Sequence, residues 1–280
     1  MSVPLQDQAL CELDAPALRR LDGQDFVVRD GDVWMPCRLK LLEGSRTLFV
    51  MLNGAVDRNK NPLPAFARWN WGKILGGHVL AVCDPTLYLD DRLRLGWFVG
   101  REDFDPMQVL LRTADLVARQ LGIEPAHVIF YGSSGGGFAA MVAAAACEVG
   151  RAIAINPQID ITAYYPQFVE PLAEVFAVGL SPEQCRDQYP LRWSALHAVI
   201  EARHAHRDLR MLYAQNLVDK VHHARHFLPF CAKLRAPPKG GLTVDGKVLT
   251  HVYSSPEGHG AEPPELVRFV VAEGLGHLLR

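Results

Sequence analysis

The segment 132–136 (GSSGG) has the residue types of a serine nucleophile, because it matches the pattern G-x-S-x-G with Ser134 at its centre. Residues 127–131 (HVIFY) predict a strand before it, and residues 138–147 predict an Ala-rich helix after it. A tight strand-to-helix turn projects a serine hydroxyl beyond the sheet, and the free N–H groups at the helix start can stabilise developing negative charge. We therefore predict that Ser134 attacks a carbonyl carbon.

A serine nucleophile needs a base, and His259 is the candidate. It lies between two glycines after the predicted strand 248–253, so it is expected at the carboxyl edge of the sheet beside Ser134. In this type of fold the serine, the acid and the histidine follow one another in that order along the chain. The alternative is a solvated loop histidine.

The acid that orients the base is expected at the end of the preceding strand. The predicted strand 209–214 leads into Asp219, which is the best candidate to orient His259 and to stabilise its imidazolium form. Asp219 also stands where it would cap the helix that follows, and both roles are compatible. Glu257 and Asp208 are weaker alternatives for the acid.

An oxyanion hole requires two backbone N–H groups. Gly135, the residue after the nucleophile, is expected to supply one of them. Ala55, with Gly54 as the next choice, is expected to supply the other from the loop after the strand at 47–52. The alternative for that loop is a plain Asn-Gly turn.

Four further residues are predicted to bind substrate: Ser133, Trp69, Trp97 and His222. The tryptophans would offer stacking faces to a sugar or an apolar acyl group, and their alternative is a place in the core. His222 and His226 share a helix face as metal ligands do, but no third ligand and no HExxH pattern accompanies them. We therefore predict no metal site, and we favour solvated or capping histidines here.

Two other kinds of binding site, for a dinucleotide and for a nucleotide phosphate, are also built on glycine-rich segments. Gly135, Gly137 and Ala140 fit a loose form of the dinucleotide-binding pattern, but these glycines follow the serine turn. No acidic strand end follows them at the expected distance of roughly 20 residues. A Walker loop is excluded because the chain has no G-K-[ST] sequence, and we predict no cofactor.

Short apolar runs and helical patterns alternate along the chain and would position these residues. The predicted strands are 47–52, 78–83, 127–131, 152–155, 209–214 and 248–253. Asp105-Pro106 opens a helix that ends before Gly122, and a last helix lies near 265–273. Continuous apolar strands between helices predict a mostly parallel sheet covered on both faces.

Residues 158–205 interrupt this alternation with helical pieces, four prolines and several aromatic residues, but no clear strand. We predict that they form a small helical cap inserted over one end of the sheet. Residues 236–246 are expected to be an exposed loop within the domain, since a strand follows at once. The chain 1–280 is therefore predicted to be a single α/β domain.

Composition excludes several classes of protein. The 29 Lys and Arg residues nearly balance the 31 Asp and Glu residues, which leaves a net charge of −2 and argues against a nucleic-acid partner. The longest apolar run, 138–147, is shorter than the roughly 18–20 residues of a membrane span. The acidic N-terminus does not resemble a secretory signal. Six scattered cysteines without CxxC spacing predict reduced thiols in a cytoplasmic protein.

Over residues 47–280 the sequence resembles the α/β-hydrolase superfamily, on the order Ser134, Asp219, His259. Five phrases are similar to bacterial hydrolase-fold proteins linked to surface polysaccharide and glycoprotein export, which include capsule-biosynthesis proteins and accessory-secretion acyltransferase-like proteins. The phrases are 83–87 (CDPTL), 95–100 (LGWFVG), 131–138 (YGSSGGGF), 156–160 (NPQID) and 215–222 (QNxxDxxH).

This resemblance implies a serine esterase or O-acyltransferase that acts through an acyl-enzyme on an acylated glycan or a small ester. Two alternatives remain open at this point. One is a peptidase of the same fold, and the other is a non-catalytic module that binds a glycan or a protein. No feature of the sequence indicates which oligomeric state the protein has.

Overall fold

A computed structural model describes residues 6–280, and a sheet of ten strands runs through it. The strands are β1 Gln6–Ala9, β2 Asp25–Asp30, β3 Val33–Lys40, β4 Leu48–Leu52, β5 His78–Val82, β6 Val128–Ser133, β7 Val149–Ile155, β8 Asp208–Asn216, β9 Gly241–Leu242 and β10 Val248–Tyr253. Their order across the sheet is β1-β2-β3-β5-β4-β6-β7-β8-β10-β9.

Parallel pairing dominates the centre of this sheet. Six adjacent strands pair in parallel, in the order β5, β4, β6, β7, β8 and β10. Strand β3 is antiparallel to β2 and β5, and β9 is antiparallel to β10. Because parallel strands end at the same edge, the loops that follow β4, β6, β7, β8 and β10 come together there.

Helices connect the strands and cover the sheet. They are α1 Ala15–Arg20, α2 Gly72–Leu75, α3 Pro106–Gln120, α4 Gly135–Ala146, α5 Pro166–Phe176, α6 Pro182–Gln188, α7 Pro190–Trp193, α8 Ala195–His204, α9 Lys220–His222, α10 Leu228–Leu234, α11 Pro264–Phe269 and α12 Leu275–Leu278. The π-helical turns His223–Phe227 and Val270–Gly274 join α9 to α10 and α11 to α12.

The central strands are apolar on both faces because both faces are covered. In β4, Leu48, Val50 and Leu52 pack into the larger core cluster, which includes residues of α3 and α4. The alternate residues Phe49 and Met51 pack into a second cluster on the opposite face, together with residues of α11 and α12. This alternation follows from the two-residue period of a strand, and all five side chains are fully buried.

The segment 158–205 contains α5, α6, α7 and α8 and no strand. Helix α8 packs along α4 and therefore belongs to the helical layer beside the sheet. The beginning of the segment reaches the carboxyl edge of the sheet, where the Tyr164 ring lies 5.5 Å from the His222 ring. A cap that spans all of 158–205 stays a prediction.

The predicted α/β fold and its six strands are confirmed, with strand ends that shift by up to three residues. The strands β1, β2, β3 and β9 were not predicted. Helix α3 begins as expected, because Asp105 accepts a hydrogen bond from the backbone N–H of Met107 at 3.0 Å and Pro106 is its first residue. No helix within residues 6–280 is both long and apolar enough to cross a bilayer.

Candidate active site

Five loops at the carboxyl edge of the sheet carry the polar residues of the candidate site. Gly54 follows β4, Ser134 follows β6, and Gln158 follows β7. Asp219 follows β8, and His259 follows β10. The edge of a parallel sheet is the common place for a ligand site in open α/β folds.

Ser134 occupies a strained backbone conformation, with φ of 54° and ψ of −125° between β6 and α4. The glycines on either side of it allow the chains to approach closely. A Cβ at Gly132 would lie 2.1 Å from the backbone carbon of Gly136, and a Cβ at Gly136 would lie 2.3 Å from the carbonyl oxygen of Leu52. The two glycines of the G-x-S-x-G pattern are therefore required by packing at this turn.

Two histidines share the carboxylate of Asp219. The Nδ1 atom of His259 lies 2.6 Å from Asp219 Oδ2, and the Nδ1 atom of His222 lies 2.9 Å from the same oxygen. Burial alone raises the pKa of Asp219, but hydrogen bonds from His222 and His259 outweigh it and hold that pKa well below its ordinary value. Asp219 is therefore ionised, and it also caps α9 by accepting a hydrogen bond from the His222 backbone.

Gln158 stands between Ser134 and His222. Its Nε2 atom donates a hydrogen bond to Ser134 Oγ at 3.0 Å and lies 2.7 Å from His222 Nε2. Its Oε1 atom accepts a hydrogen bond from Trp97 Nε1 at 3.0 Å. No direct hydrogen bond joins Ser134 to His259 within residues 6–280, a bond that is often long in the absence of substrate.

The candidate oxyanion residues surround Ser134. Gly135 is the first residue of α4, so its N–H has no acceptor within the helix. The loop after β4 lies against this turn, since a Cβ at Gly54 would lie 2.9 Å from Ser133 O and 3.7 Å from Gly135 N. Ala55 is exposed and lines the same cavity as Ser134. Their oxyanion role stays a prediction.

Buried polar residues hold the loops around Ser134. Asn53 donates to the carbonyl of Gly54 at 2.9 Å and accepts from the N–H of Asp84 at 2.8 Å. The Asp84 carboxylate in turn accepts from the N–H of Phe98 at 2.8 Å. Burial raises the pKa of Asp84 to about 6, against the effect of its hydrogen bonds from Thr86 and Phe98. This series of hydrogen bonds fixes Phe98, the residue next to Trp97. The indole N–H of Trp97 in turn donates to Gln158.

Asn216 holds the loop that carries His259. Its Nδ2 donates to the carbonyls of Ser255 at 2.9 Å and Gly258 at 2.7 Å, and its Oδ1 accepts from the N–H of Ser255. Asn156, directly after β7, accepts from the N–H of Asn216 at 2.6 Å and so holds this last residue of β8 in place. The phrases 156–160 and 215–222 therefore supply the contacts that support the histidine loop.

Ser134 and His259 open into one cavity of about 780 Å³, a size that suits a small-molecule ligand. Its wall includes Arg68, which donates to Ser133 Oγ at 2.7 Å and is paired with Glu262. Because Glu262 lies three residues after His259, this largely buried ion pair joins two walls of the cavity. Ser133 thus lines the cavity with its hydroxyl bound to Arg68, and its predicted role in binding substrate stays a prediction.

Trp69 lies at the more exposed part of this cavity, with a third of its surface open to solvent. The Arg38 guanidinium lies 4.6 Å from its ring centroid, and Arg38 is held by both oxygens of Asp25. Both Arg38 and Trp69 line the cavity, so this contact holds the ring at its wall. Trp69 is therefore available to contact a ligand.

The structure places other predicted residues differently. Trp97 is buried and does not line this cavity, because its indole packs in the core and binds Gln158. His222 is also buried away from the cavity and contacts Gln158 and Asp219. The expectation of solvated histidines is wrong for His222 and His226. His226 is fully buried, and its Nδ1 accepts from the backbone N–H of Ile159 at 3.4 Å.

Sequence reasoning missed Gln158, Arg68 and Glu262. Gln158 lies in the phrase 156–160 directly after a strand, and that position was the available signal. Arg68 and Glu262 are far apart in sequence, and neither lies in a recognisable pattern.

Asp219, His222 and His259 are the residues that could offer ligands to a metal ion, with one ligand atom each within 4.8 Å. However, both Nδ1 atoms already face the Asp219 carboxylate, and His222 Nε2 lies 2.7 Å from Gln158 Nε2. Of the four imidazole nitrogens, His259 Nε2 is therefore the one that has no hydrogen bond within residues 6–280. The arrangement suits two hydrogen bonds to a carboxylate better than a metal ion.

Comparisons with known proteins find the same fold at low sequence identity. No protein-family model and no curated protein matches the sequence. A capsule O-acetyltransferase of Neisseria meningitidis serogroup A superposes with a TM-score of 0.63 and 14% identity, over 92% of this chain and 94% of that one. A putative carboxylesterase from Lactobacillus plantarum superposes with a TM-score of 0.55 and 13% identity, over 90% of this chain and 98% of that one.

A third similar structure is the Glycosylation Associate Protein complex from Streptococcus agalactiae, with a TM-score of 0.62 and 13% identity. The match covers 89% of this chain but only 45% of that chain. The present chain therefore spans less than half of one relative and nearly all of the other two. Together with the order of the strands, these structures show that the chain has an α/β-hydrolase fold. One of these similar structures, the O-acetyltransferase, is a capsule-linked protein.

Proposed function

We propose that this protein is a serine esterase or O-acyltransferase whose catalytic residues are Ser134, His259 and Asp219. The observation that carries the proposal is the strained turn that directs Ser134 into the cavity lined by His259, whose Nδ1 binds Asp219 at 2.6 Å. A serine at a sharp turn, a histidine and an ionised acid are the parts of a nucleophilic acyl-transfer site.

In the first half of the reaction, Ser134 Oγ attacks the carbonyl carbon of an ester, and His259 Nε2 takes the serine proton. The N–H groups of Gly135 and of Ala55 or Gly54 stabilise the oxyanion of the tetrahedral intermediate. The intermediate then collapses to an acyl-serine. The ester C–O bond breaks, and the leaving alcohol takes the proton from His259.

In the second half, an acceptor attacks the acyl-serine while His259 removes a proton from it. Water as the acceptor releases a carboxylic acid, and a sugar hydroxyl as the acceptor forms a new ester. Ser134 regains its proton from His259 when the tetrahedral intermediate collapses. Asp219 stabilises the imidazolium form in both halves.

An acylated glycan is the proposed substrate class, and Trp69 supports it. An aromatic face held in place by Arg38 beside polar side chains offers both stacking and hydrogen bonds to a sugar ring. The similar capsule O-acetyltransferase is consistent with this proposal.

The test is incubation with p-nitrophenyl acetate, with an aminoacyl anilide, and with acetylated oligosaccharides in the presence of unacetylated acceptors. Mass spectrometry reads both loss and transfer of acyl groups, and Ser134→Ala is the control. We expect ester turnover that the control lacks. Anilide turnover alone would favour a peptidase, and glycan binding without any turnover would favour a non-catalytic module.

A further inference from the structure

Gln158 is fully buried, and all of its polar groups are used. The carboxamide oxygen accepts from Trp97 Nε1, which fixes the amide orientation. The two N–H groups of Nε2 then face Ser134 Oγ at 3.0 Å and His222 Nε2 at 2.7 Å. A flipped amide would set the Trp97 donor against an N–H, so one orientation is strongly favoured.

This orientation determines how Ser134 is hydrogen-bonded. Its oxygen accepts a hydrogen from Gln158, so the serine's own hydrogen must be donated in another direction. The open direction is the cavity, where His259 lies. The amide therefore holds Oγ in place and leaves its hydrogen available to the base.

The same amide also separates the roles of the two histidines. His222 Nε2 accepts from Gln158, so the ring is neutral with its hydrogen on Nδ1, where Asp219 accepts it. Burial lowers the pKa of His222, which also favours the neutral ring. This effect outweighs the hydrogen bond to Asp219, which acts to raise that pKa. His259 is part-exposed, and its Nε2 makes no hydrogen bond within residues 6–280. Only His259 has a free lone pair toward the cavity.

We propose that Gln158 is a positioning residue that orients the Ser134 hydroxyl toward His259 and keeps His222 from acting as the base. This inference rests on the proposed function, since it assigns Ser134 as the nucleophile. As the serine proton moves to His259, the charge that develops on Oγ strengthens the hydrogen bond from Gln158. The amide therefore contributes most when the serine is being deprotonated.

The test measures the rate at which a fluorophosphonate labels Ser134 in the full chain, across pH and reagent concentration. Gln158→Met keeps the length of the side chain but removes both N–H donors. We expect its maximal labelling rate to fall at least about tenfold, with little change in the half-saturating reagent concentration. Gln120→Met, an exposed glutamine at the end of α3, is the matched control and should label at the wild-type rate.

Gln158→Glu provides a readout that a merely structural role would not change. A carboxylate at this position would accept the serine hydrogen and turn it away from His259. It would also add negative charge beside the histidines, so the acidic limb of the rate–pH profile should move to higher pH. In Gln158→Met that limb should stay where it is in the wild type.

Melting temperatures show whether each variant is folded. A folded Gln158→Met protein that labels within twofold of wild type would overturn the inference and leave the proposed function intact. Wild-type protein that is not labelled at Ser134 would overturn the proposed function itself. If Gln158→Met does not fold, Trp97→Phe decides, because it keeps the ring but loses the N–H that orients the amide. An unchanged labelling rate there would also overturn the inference.

Discussion

The imidazole rings of His222 and His259 stack face to face, with their centroids 3.9 Å apart and an interplanar angle of 10°. Both rings direct Nδ1 at the carboxylate of Asp219, where the hydrogen bond of His222 is to Oδ1 and that of His259 is to Oδ2, yet their environments differ. His222 is buried against Gln158, whereas His259 faces the cavity. One carboxylate thus serves a structural histidine and the proposed base at the same time.

Asp219→Asn tests the proposed acid. An amide cannot stabilise the imidazolium form of His259, and its N–H₂ would favour the wrong tautomer. We expect kcat on p-nitrophenyl acetate to fall by roughly 10³–10⁴-fold, with a smaller change in KM. Asp187→Asn, on the exposed surface of α6, is the control. A loss of less than tenfold in a folded Asp219→Asn protein would remove Asp219 from the mechanism.

The buried His226 predicts a dependence of stability on pH. Burial lowers its pKa to about 3, so the folded protein keeps this ring neutral while the unfolded chain takes up a proton below about pH 6.5. The unfolded state therefore binds more protons in this window, and stability is lost as the pH falls through it. At pH 5 the loss from this histidine amounts to about 2 kcal/mol.

Urea unfolding of the wild type and of His226→Phe, at pH 7 and pH 5, measures this effect. Phenylalanine fills similar space and cannot take up a proton. The free energy of unfolding should fall less between the two pH values in the variant, by about 2 kcal/mol. An identical fall in both proteins would show that His226 is not the source.

Gly136→Ala tests the close approach behind the serine turn. The added Cβ would lie 2.3 Å from the carbonyl oxygen of Leu52, and backbone cannot move aside cheaply. We expect a loss of about 1–3 kcal/mol in stability and a large loss of esterase activity, because the turn that holds Ser134 must shift. Gly276→Ala in α12 is the matched control. Nothing lies within 4 Å of its Cβ, so it should be neutral or stabilising.

Trp69→Ala tests the proposed contact with a sugar. Loss of an aromatic face of this kind should raise KM for an acylated oligosaccharide by roughly threefold to tenfold, with little effect on a small ester. Trp69→Phe keeps a ring beside Arg38 and should remain within about threefold of the wild type. Equal effects of Trp69→Ala on both substrates would argue that the residue supports the loop and does not contact the glycan.

The sequence was informative about the centre of the sheet because local patterns decide those elements. The strand 248–253 was predicted with its observed bounds, and the motif around Ser134 lies between a strand and a helix as expected. The strands β4 and β5 are apolar on both faces, and turn residues follow them, Asn53-Gly54 after β4 and Asp84-Pro85 after β5, so neighbouring residues alone define them.

The strands β2 and β3 were missed because their stability comes from pairing with neighbouring strands, β2 with β1 and β3, and β3 with β2 and β5. Both carry charged residues, and β3 contains Pro36, which argues against a strand when read locally. The available signal was the Asp30-Gly31 pair at their hairpin.

The site shows the same division between local and distant contacts. Ser134, Asp219 and His259 were chosen from local positions after strands, and the structure brings them to one edge of the sheet. Gln158 required knowledge of which side chains it meets, and those belong to three distant segments. The buried position of His222 depends in the same way on Tyr164 and Trp97, which no local pattern predicts.

The proposed nucleophile can be tested most directly by peptide mapping of the protein after reaction with a fluorophosphonate. The proposal predicts one adduct, on the peptide that contains Ser134, and no adduct in Ser134→Ala. It also predicts slow labelling in His259→Ala, because the serine then lacks its base. An adduct on another residue, or one that persists in folded Ser134→Ala protein, would contradict the account.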